Sequence, residues 1–174
     1  AEVRTTVVVD FKLDDPPADD SSLAPHTDDA VRAARAFLDE LIRRLKTQLG
    51  DLSQSALKQL YLASYEVRGA IWTPDMLQQF RRYRGYDMTP YLPALTGDVV
   101  VDNETTQRFI YDYRKTLGDL LVDAYYRAAV DSAHEAGLGI ESEAGGPGPP
   151  IHQVPVDALK AQGAIDEVRG EFWP

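Results

Sequence analysis

Leu60-Tyr61-Leu62-Ala63-Ser64-Tyr65-Glu66 is a short apolar and aromatic run closed by an acid. Two later stretches have the same form: Leu138-Gly139-Ile140-Glu141-Ser142-Glu143 and Ile165-Asp166-Glu167-Val168-Arg169-Gly170-Glu171. Each reads as a strand that stops at a glutamate, where loop chemistry begins. A long helical stretch separates the first two runs, and a shorter connection joins the second to the third. Strands that alternate with helices predict a parallel sheet with right-handed crossovers. The fold class expected is α/β, a partial (β/α)8 TIM-barrel-like segment, in which strand C-termini and the loops after them build the site.

Working outward, Thr5 to Phe11 is β-branched and apolar and reads as a buried strand ending near Asp10. A proline- and aspartate-rich loop follows, and Thr27 is a plausible N-cap, with Asp28 and Asp29 suited to the positive end of a helix dipole. Val31, Ala34, Leu38, Leu41, Leu45 and Leu49 then recur at helical spacing up to Gly50. A second helix is expected to open at Thr73 with Pro74 in its first turn and to end at Gly85. Pro90 and Pro93 mark a short turn or helical piece. From Asn103 to Ala136 the helical signal is strongest, with Phe109, Tyr113, Leu117, Leu120, Ala124, Tyr125 and Ala128 on one stripe. The pattern fits one long helix or two joined near Gly118. Gly145 to Pro150 is a loop by composition, and 156–162 a short helix.

At 174 residues and 44% apolar content the chain supports a real core. A complete β/α barrel takes about 250 residues, so this chain is expected to hold part of one. The domain reading is a single partial catalytic domain over residues 1–174, with 1–55 as a first β/α unit and 56–174 as the remainder. A net charge of −10 disfavours nucleic acid and anionic membrane surfaces, both of which need a basic face. The absence of cysteine removes disulfides and thiolate metal sites. No stretch approaches the ~20 apolar residues of a membrane span, and Ala1-Glu2-Val3-Arg4 does not read as a secretory signal.

The candidate chemistry lies in the strand-end acids. An acid beyond two apolar residues is partly desolvated, and desolvation raises its pKa, as a general acid requires. Glu66 fits that description; pairing with Arg68 or capping the next turn is the plainer use. Glu171 lies between Gly170 and Phe172-Trp173, where a glycine admits close ligand approach and tryptophan offers a flat face for sugar C–H groups. A surface acid would look the same. Glu143 shares the face of Glu141 and suits a hydroxyl or a hard cation, or simply water. Asp10 ends the first strand and has the reach of the same cleft. Tyr65, Trp72, Tyr86 and Trp173 are candidate stacking platforms or core. His26, His134 and His152 lack ligand spacing. Carboxylates that converge from several strand ends are what glycosidic bond hydrolysis needs.

The string Ser64-Tyr65-Glu66-Val67-Arg68-Gly69-Ala70-Ile71-Trp72-Thr73-Pro74 continues to Arg84-Gly85-Tyr86-Asp87 and Pro90-Tyr91-Leu92-Pro93-Ala94-Leu95. With Arg108-Phe109-Ile110-Tyr111-Asp112-Tyr113-Arg114 and Gly170-Glu171-Phe172-Trp173, this resembles the α-L-rhamnosidase-like enzymes of glycoside hydrolase family 106. The resemblance covers roughly 60–174. It implies a (β/α)8-type catalytic domain, inverting hydrolysis of terminal α-L-rhamnosides, and a calcium ion that helps to hold the sugar. By position it makes Glu66 the general acid, Glu171 the base that activates water, and Glu143 the sugar- or calcium-contacting carboxylate. Asp10, Tyr65, Trp72 and Trp173 join Glu143 as expected substrate contacts. The implied partners are a carbohydrate substrate and the rest of the barrel or another copy of the chain. The implied location is secreted or periplasmic. The alternative from another class is a non-catalytic carbohydrate-binding or assembly fragment of an incomplete barrel, whose open sheet edges invite pairing.

Overall fold

The computed structural model describes residues 27–63, 65, 72–143 and 156–170. The expected first strand at Thr5–Phe11 and the loop from Gly145 to Pro150 lie outside them. Three strands form the sheet: β1 (Gln59–Tyr61), β2 (Gly139–Ser142) and β3 (Glu167–Val168). They are parallel and ordered β1-β2-β3, with Tyr61 opposite Glu141 and Glu141 opposite Glu167. The expected parallel sheet is present, but its strands are shorter than the sequence runs. β1 stops at Tyr61 rather than Glu66, with one more ladder bond from the Leu62 N–H to the Glu141 carbonyl at 2.8 Å. β3 starts at Glu167 because the Asp166 carboxylate takes the Ile140 N–H at 2.8 Å, a donor that a strand carbonyl would otherwise use.

Alternation gives the sheet two unlike faces. Leu60 and Ile140 point to a layer made by α1 (Thr27–Leu49) and α4 (Ala128–Glu135), where they meet Leu38, Ile42, Leu45, Leu52, Ala129, Ala133 and Leu138. Ala129 and Ala133 have no side chain beyond Cβ, so α4 approaches the sheet closely. The stripe expected on α1 is confirmed at Leu38 and Leu45. It is displaced at its end: Leu49 is half-exposed, and Ile42 supplies the core contact instead. Gly137, at φ +73°, turns the chain out of α4 and into β2 in a conformation that costs an L-residue about 1–2 kcal/mol.

A second core lies apart from the sheet. α2 (Met76–Arg84), a 3-10 segment (Thr89–Thr96) and α3 (Asn103–Leu121) enclose Met76, Phe80, Met88, Ala94, Phe109, Tyr113, Leu117 and Leu120. Rings pack edge-on between Phe80 and Tyr86 (4.9 Å) and stack between Tyr91 and Phe109 (5.4 Å). α2 begins three residues later than Thr73-Pro74 suggests. The Thr73 hydroxyl instead donates to Asp75, the residue before the first turn, whose carboxylate also accepts from the Gln79 amide at 2.8 Å. Gly85 closes α2 in the left-handed conformation, as expected.

The helical stretch 103–135 is one continuous rod, with no joint at Gly118. Asp102 caps it by accepting the Thr105 N–H at 2.7 Å. The irregularity comes later, as a π-helical segment at Val122–Arg127. A short helix, α5 (Ala158–Gln162), leads to β3, and Ala161 packs on Val122 and Tyr126 of the π segment. Among the described residues no helix is long and apolar enough to cross a membrane. The architecture is a mixed α/β one with parallel strands.

Candidate active site at the strand ends

The face of the sheet turned away from α1 and α4 is polar. By alternation it carries Gln59 and Tyr61 from β1, Glu141 and then Glu143 from β2, and Glu167 and then Arg169 from β3. These side chains pair across the strands. The Gln59 amide donates to Glu167 at 2.7 Å, and the Arg169 guanidinium donates to Glu141 at 2.7 Å. The Tyr61 hydroxyl donates to the Glu143 carboxylate. Arg169 also lies over the Tyr61 ring, 5.4 Å from its centre. Glu141 is only 6% exposed, so its charge needs the partner that Arg169 supplies; an unpaired buried carboxylate costs several kcal/mol, on the order of the ion desolvation penalty.

A tyrosine cluster closes the C-terminal end of β1. In the π segment, i→i+5 bonding widens the turn and brings successive side chains nearer to one side. Tyr125 and Tyr126 both use this. The Tyr125 hydroxyl donates to the Ala63 carbonyl at 3.1 Å, and the Tyr126 hydroxyl accepts the Tyr65 N–H at 3.3 Å. The Tyr65 ring meets Tyr125 edge-on at 5.5 Å. Burial pushes the Tyr65 and Tyr125 hydroxyls above the ordinary phenol range. For Tyr126 burial also raises the hydroxyl; the Tyr65 amide opposes the rise, and the nearby Tyr65 phenol and Glu143 carboxylate add to it. All three stay neutral, and so able to donate, throughout the physiological range.

Of the residues expected at the site, Glu143 lies at the polar rim, bonded to Tyr61. Tyr65 is half-buried against Tyr125, and Trp72 stands exposed just before α2. Asp10, Glu66, Glu171 and Trp173 lie outside the described residues. Among the described residues no group of three or more His, Asp or Glu side chains is arranged to hold a metal ion. Calcium takes about six to eight oxygen ligands, and Glu143 already accepts from Tyr61. The described residues do not by themselves fit a calcium site.

The sequence reading missed Tyr61, Glu141, Arg169, Tyr125 and Tyr126. Same-face alternation with Glu143 marks Glu141, and the strand register then marks Tyr61. No local signal announces the π segment, because the stripe through Ala124 and Ala128 is compatible with an unbroken α-helix.

A profile of glycoside hydrolase family 106, described as alpha-L-rhamnosidase, matches residues 26–174. The chain belongs to glycoside hydrolase family 106. This family 106 chain is also similar to a Formosa agariphila protein named "Putative beta-glucuronidase", with 33% identity over 144 residues. The match covers 83% of the chain and 12% of that protein. Among solved structures it resembles the rhamnosidase from Novosphingobium sp. PP1Y, at 39% identity and a TM-score of 0.67. That similarity covers 77% of the chain and 13% of the rhamnosidase. The chain therefore spans about an eighth of the length of the relatives it matches.

Proposed function

We propose that this chain is part of the catalytic domain of a glycosidase that hydrolyses terminal α-L-rhamnosides with inversion. In it Glu66 protonates the leaving oxygen, Glu171 deprotonates the attacking water, and Glu143 holds a sugar hydroxyl. The observation that carries this is the order of the sheet. β1, β2 and β3 are hydrogen-bonded neighbours running the same way, and each is followed in sequence by one of these glutamates. The same feature supports a (β/α)8-type barrel, whose strands turn one face to helices and the other inward; the sheet's apolar face meets α1 and α4 and its opposite face is polar. Inversion requires acid and base about 6.5–9.5 Å apart, with the water between them.

Asp10, Tyr65, Trp72 and Trp173 complete the proposed sugar contacts. The described polar face supports a neutral sugar over a uronic acid. It carries Glu141, Glu143 and Glu167, and its described cation, Arg169, already serves Glu141. A secreted or periplasmic location belongs to the same reading. Family membership is what supports it.

The activity is proposed for the protein in its full length. The test is turnover of 4-nitrophenyl α-L-rhamnoside and 4-nitrophenyl β-D-glucuronide by that protein, with proton NMR of the first-formed anomer. Rhamnoside cleavage giving the β-anomer is expected, and Glu66→Gln or Glu171→Gln should lower kcat by about 100- to 10,000-fold. Retention of the α-anomer, preference for the glucuronide, or near-normal turnover in either variant refutes the corresponding part.

A further inference from the structure

We infer that Tyr61 is a positioning residue for Glu143, with Arg169 fixing the tyrosine ring in place. The inference rests on the proposed role of Glu143 as a sugar-holding carboxylate and extends it to residues that the family strings do not include. The geometry is a closed chain of contacts across all three strands. Glu141 of β2 is buried and receives the Arg169 guanidinium, which follows β3. That same guanidinium lies over the ring of Tyr61, the last residue of β1. The Tyr61 hydroxyl reaches back to Glu143, directly after β2.

Each contact narrows the freedom of the next. The ion pair with Glu141 anchors one end of the Arg169 guanidinium through a single short contact at 2.7 Å, which limits where the group can lie. A cation held over an aromatic face in turn limits ring tilt. A tyrosine so held directs its O–H along one line, toward one carboxylate oxygen. Among the described residues Tyr61 engages one oxygen of Glu143, and in the proposed role the other meets a ligand hydroxyl. A freely rotating glutamate at a strand end would lose side-chain entropy on meeting a sugar; one already oriented loses less.

Tyr61 is 38% exposed, so Tyr61→Phe removes the hydroxyl without leaving a buried void. The experiment is a double-mutant cycle in the full-length enzyme with Glu143→Ala, read as kcat and KM on 4-nitrophenyl α-L-rhamnoside. Thermal midpoints are recorded alongside. Tyr61→Phe is expected to lower kcat/KM by roughly 10- to 100-fold, the range for a hydrogen bond to a charged group, with an unchanged midpoint. The loss should divide between kcat and KM as it does in Glu143→Ala, and the double variant should be no slower than Glu143→Ala alone. Losses that multiply in the double variant, or a wild-type rate in Tyr61→Phe beside an impaired Glu143→Ala, overturn this inference alone. A wild-type rate in Glu143→Ala removes the role of Glu143 itself, and this inference falls with it. Arg169→Lys keeps a charge for Glu141 but loses the flat group over the ring. It should show a smaller loss that vanishes in the Tyr61→Phe background; a loss that persists there removes Arg169 from the arrangement.

Discussion

Replacing Asp119 by asparagine should destabilise the protein more than any surface change. Asp119, on α3, collects three cations from three elements. Arg84 of α2 bonds one carboxylate oxygen, Lys115 approaches that oxygen at 3.1 Å, and Lys160 of α5 reaches the other at 2.7 Å. The side chains of Arg84 and Asp119 are only 10% and 11% exposed, so their pair is close to fully enclosed. Breaking such a pair costs about 3–5 kcal/mol, chiefly because the remaining charge is buried without compensation. The two lysines are partly exposed, and each adds about 0.2–1 kcal/mol at most. Asparagine keeps one acceptor oxygen, which offsets part of the loss, so the expected cost is about 3 kcal/mol. The pH dependence has a definite sign. Burial pushes the Asp119 carboxyl up, but the hydrogen bonds from Lys160 and Lys115 outweigh it, and the group is lowered overall. Its stabilisation is therefore full above the unfolded value of about 3.9 and is lost as pH falls through the lower folded value. Urea unfolding followed by circular dichroism at pH 7 and at stepwise lower pH measures both. A loss below about 1 kcal/mol at pH 7, or a difference between wild type and variant that does not shrink on acidification, refutes the reasoning. The consequence would reach the site, because Lys160 ties down α5, the helix that leads to β3 and Arg169.

Two further outcomes follow from local geometry. Tyr126→Phe deprives the Tyr65 N–H of its acceptor in a half-buried setting; it should cost about 1–2 kcal/mol and speed hydrogen exchange of the Tyr65 amide, and unchanged exchange would contradict that bond. Val101, a β-branched residue at φ +66° and exposed, carries a left-handed strain of about 1–2 kcal/mol. Val101→Gly should raise stability by a net ~0.5–1 kcal/mol after glycine's own entropic cost, and a lower melting temperature would show that the site is not strained.

The order of elements was legible because it depends on local chemistry. The α1 stripe through Leu38 and Leu45, the start of α3 at Asn103, Gly85 at the end of α2 and the places of β1, β2 and β3 within the three strand-like runs each reside in a few consecutive residues. Lengths were less legible. The run at Leu60 to Glu66 looks like seven strand residues, yet β1 ends at Tyr61 and its neighbour β2 ends at Ser142. The seam near Gly118 is absent: Gly118 is buried within α3, flanked by the buried Leu117 and Asp119.

Family membership and the residues proposed for acid, base and sugar contact were contained in the linear strings, since a motif records which side chains follow one another. What only the tertiary structure decided is which side chains face one another. Arg169 and Glu141 are 28 positions apart, Tyr61 and Glu143 are 82 apart, and no pattern along the chain relates them. They meet because parallel pairing sets Tyr61, Glu141 and Glu167 side by side on one face, and because a π turn moves two tyrosines onto the backbone after β1. Register and helical phase are properties of packed elements, and they form only when the apolar face of the sheet is buried against α1 and α4.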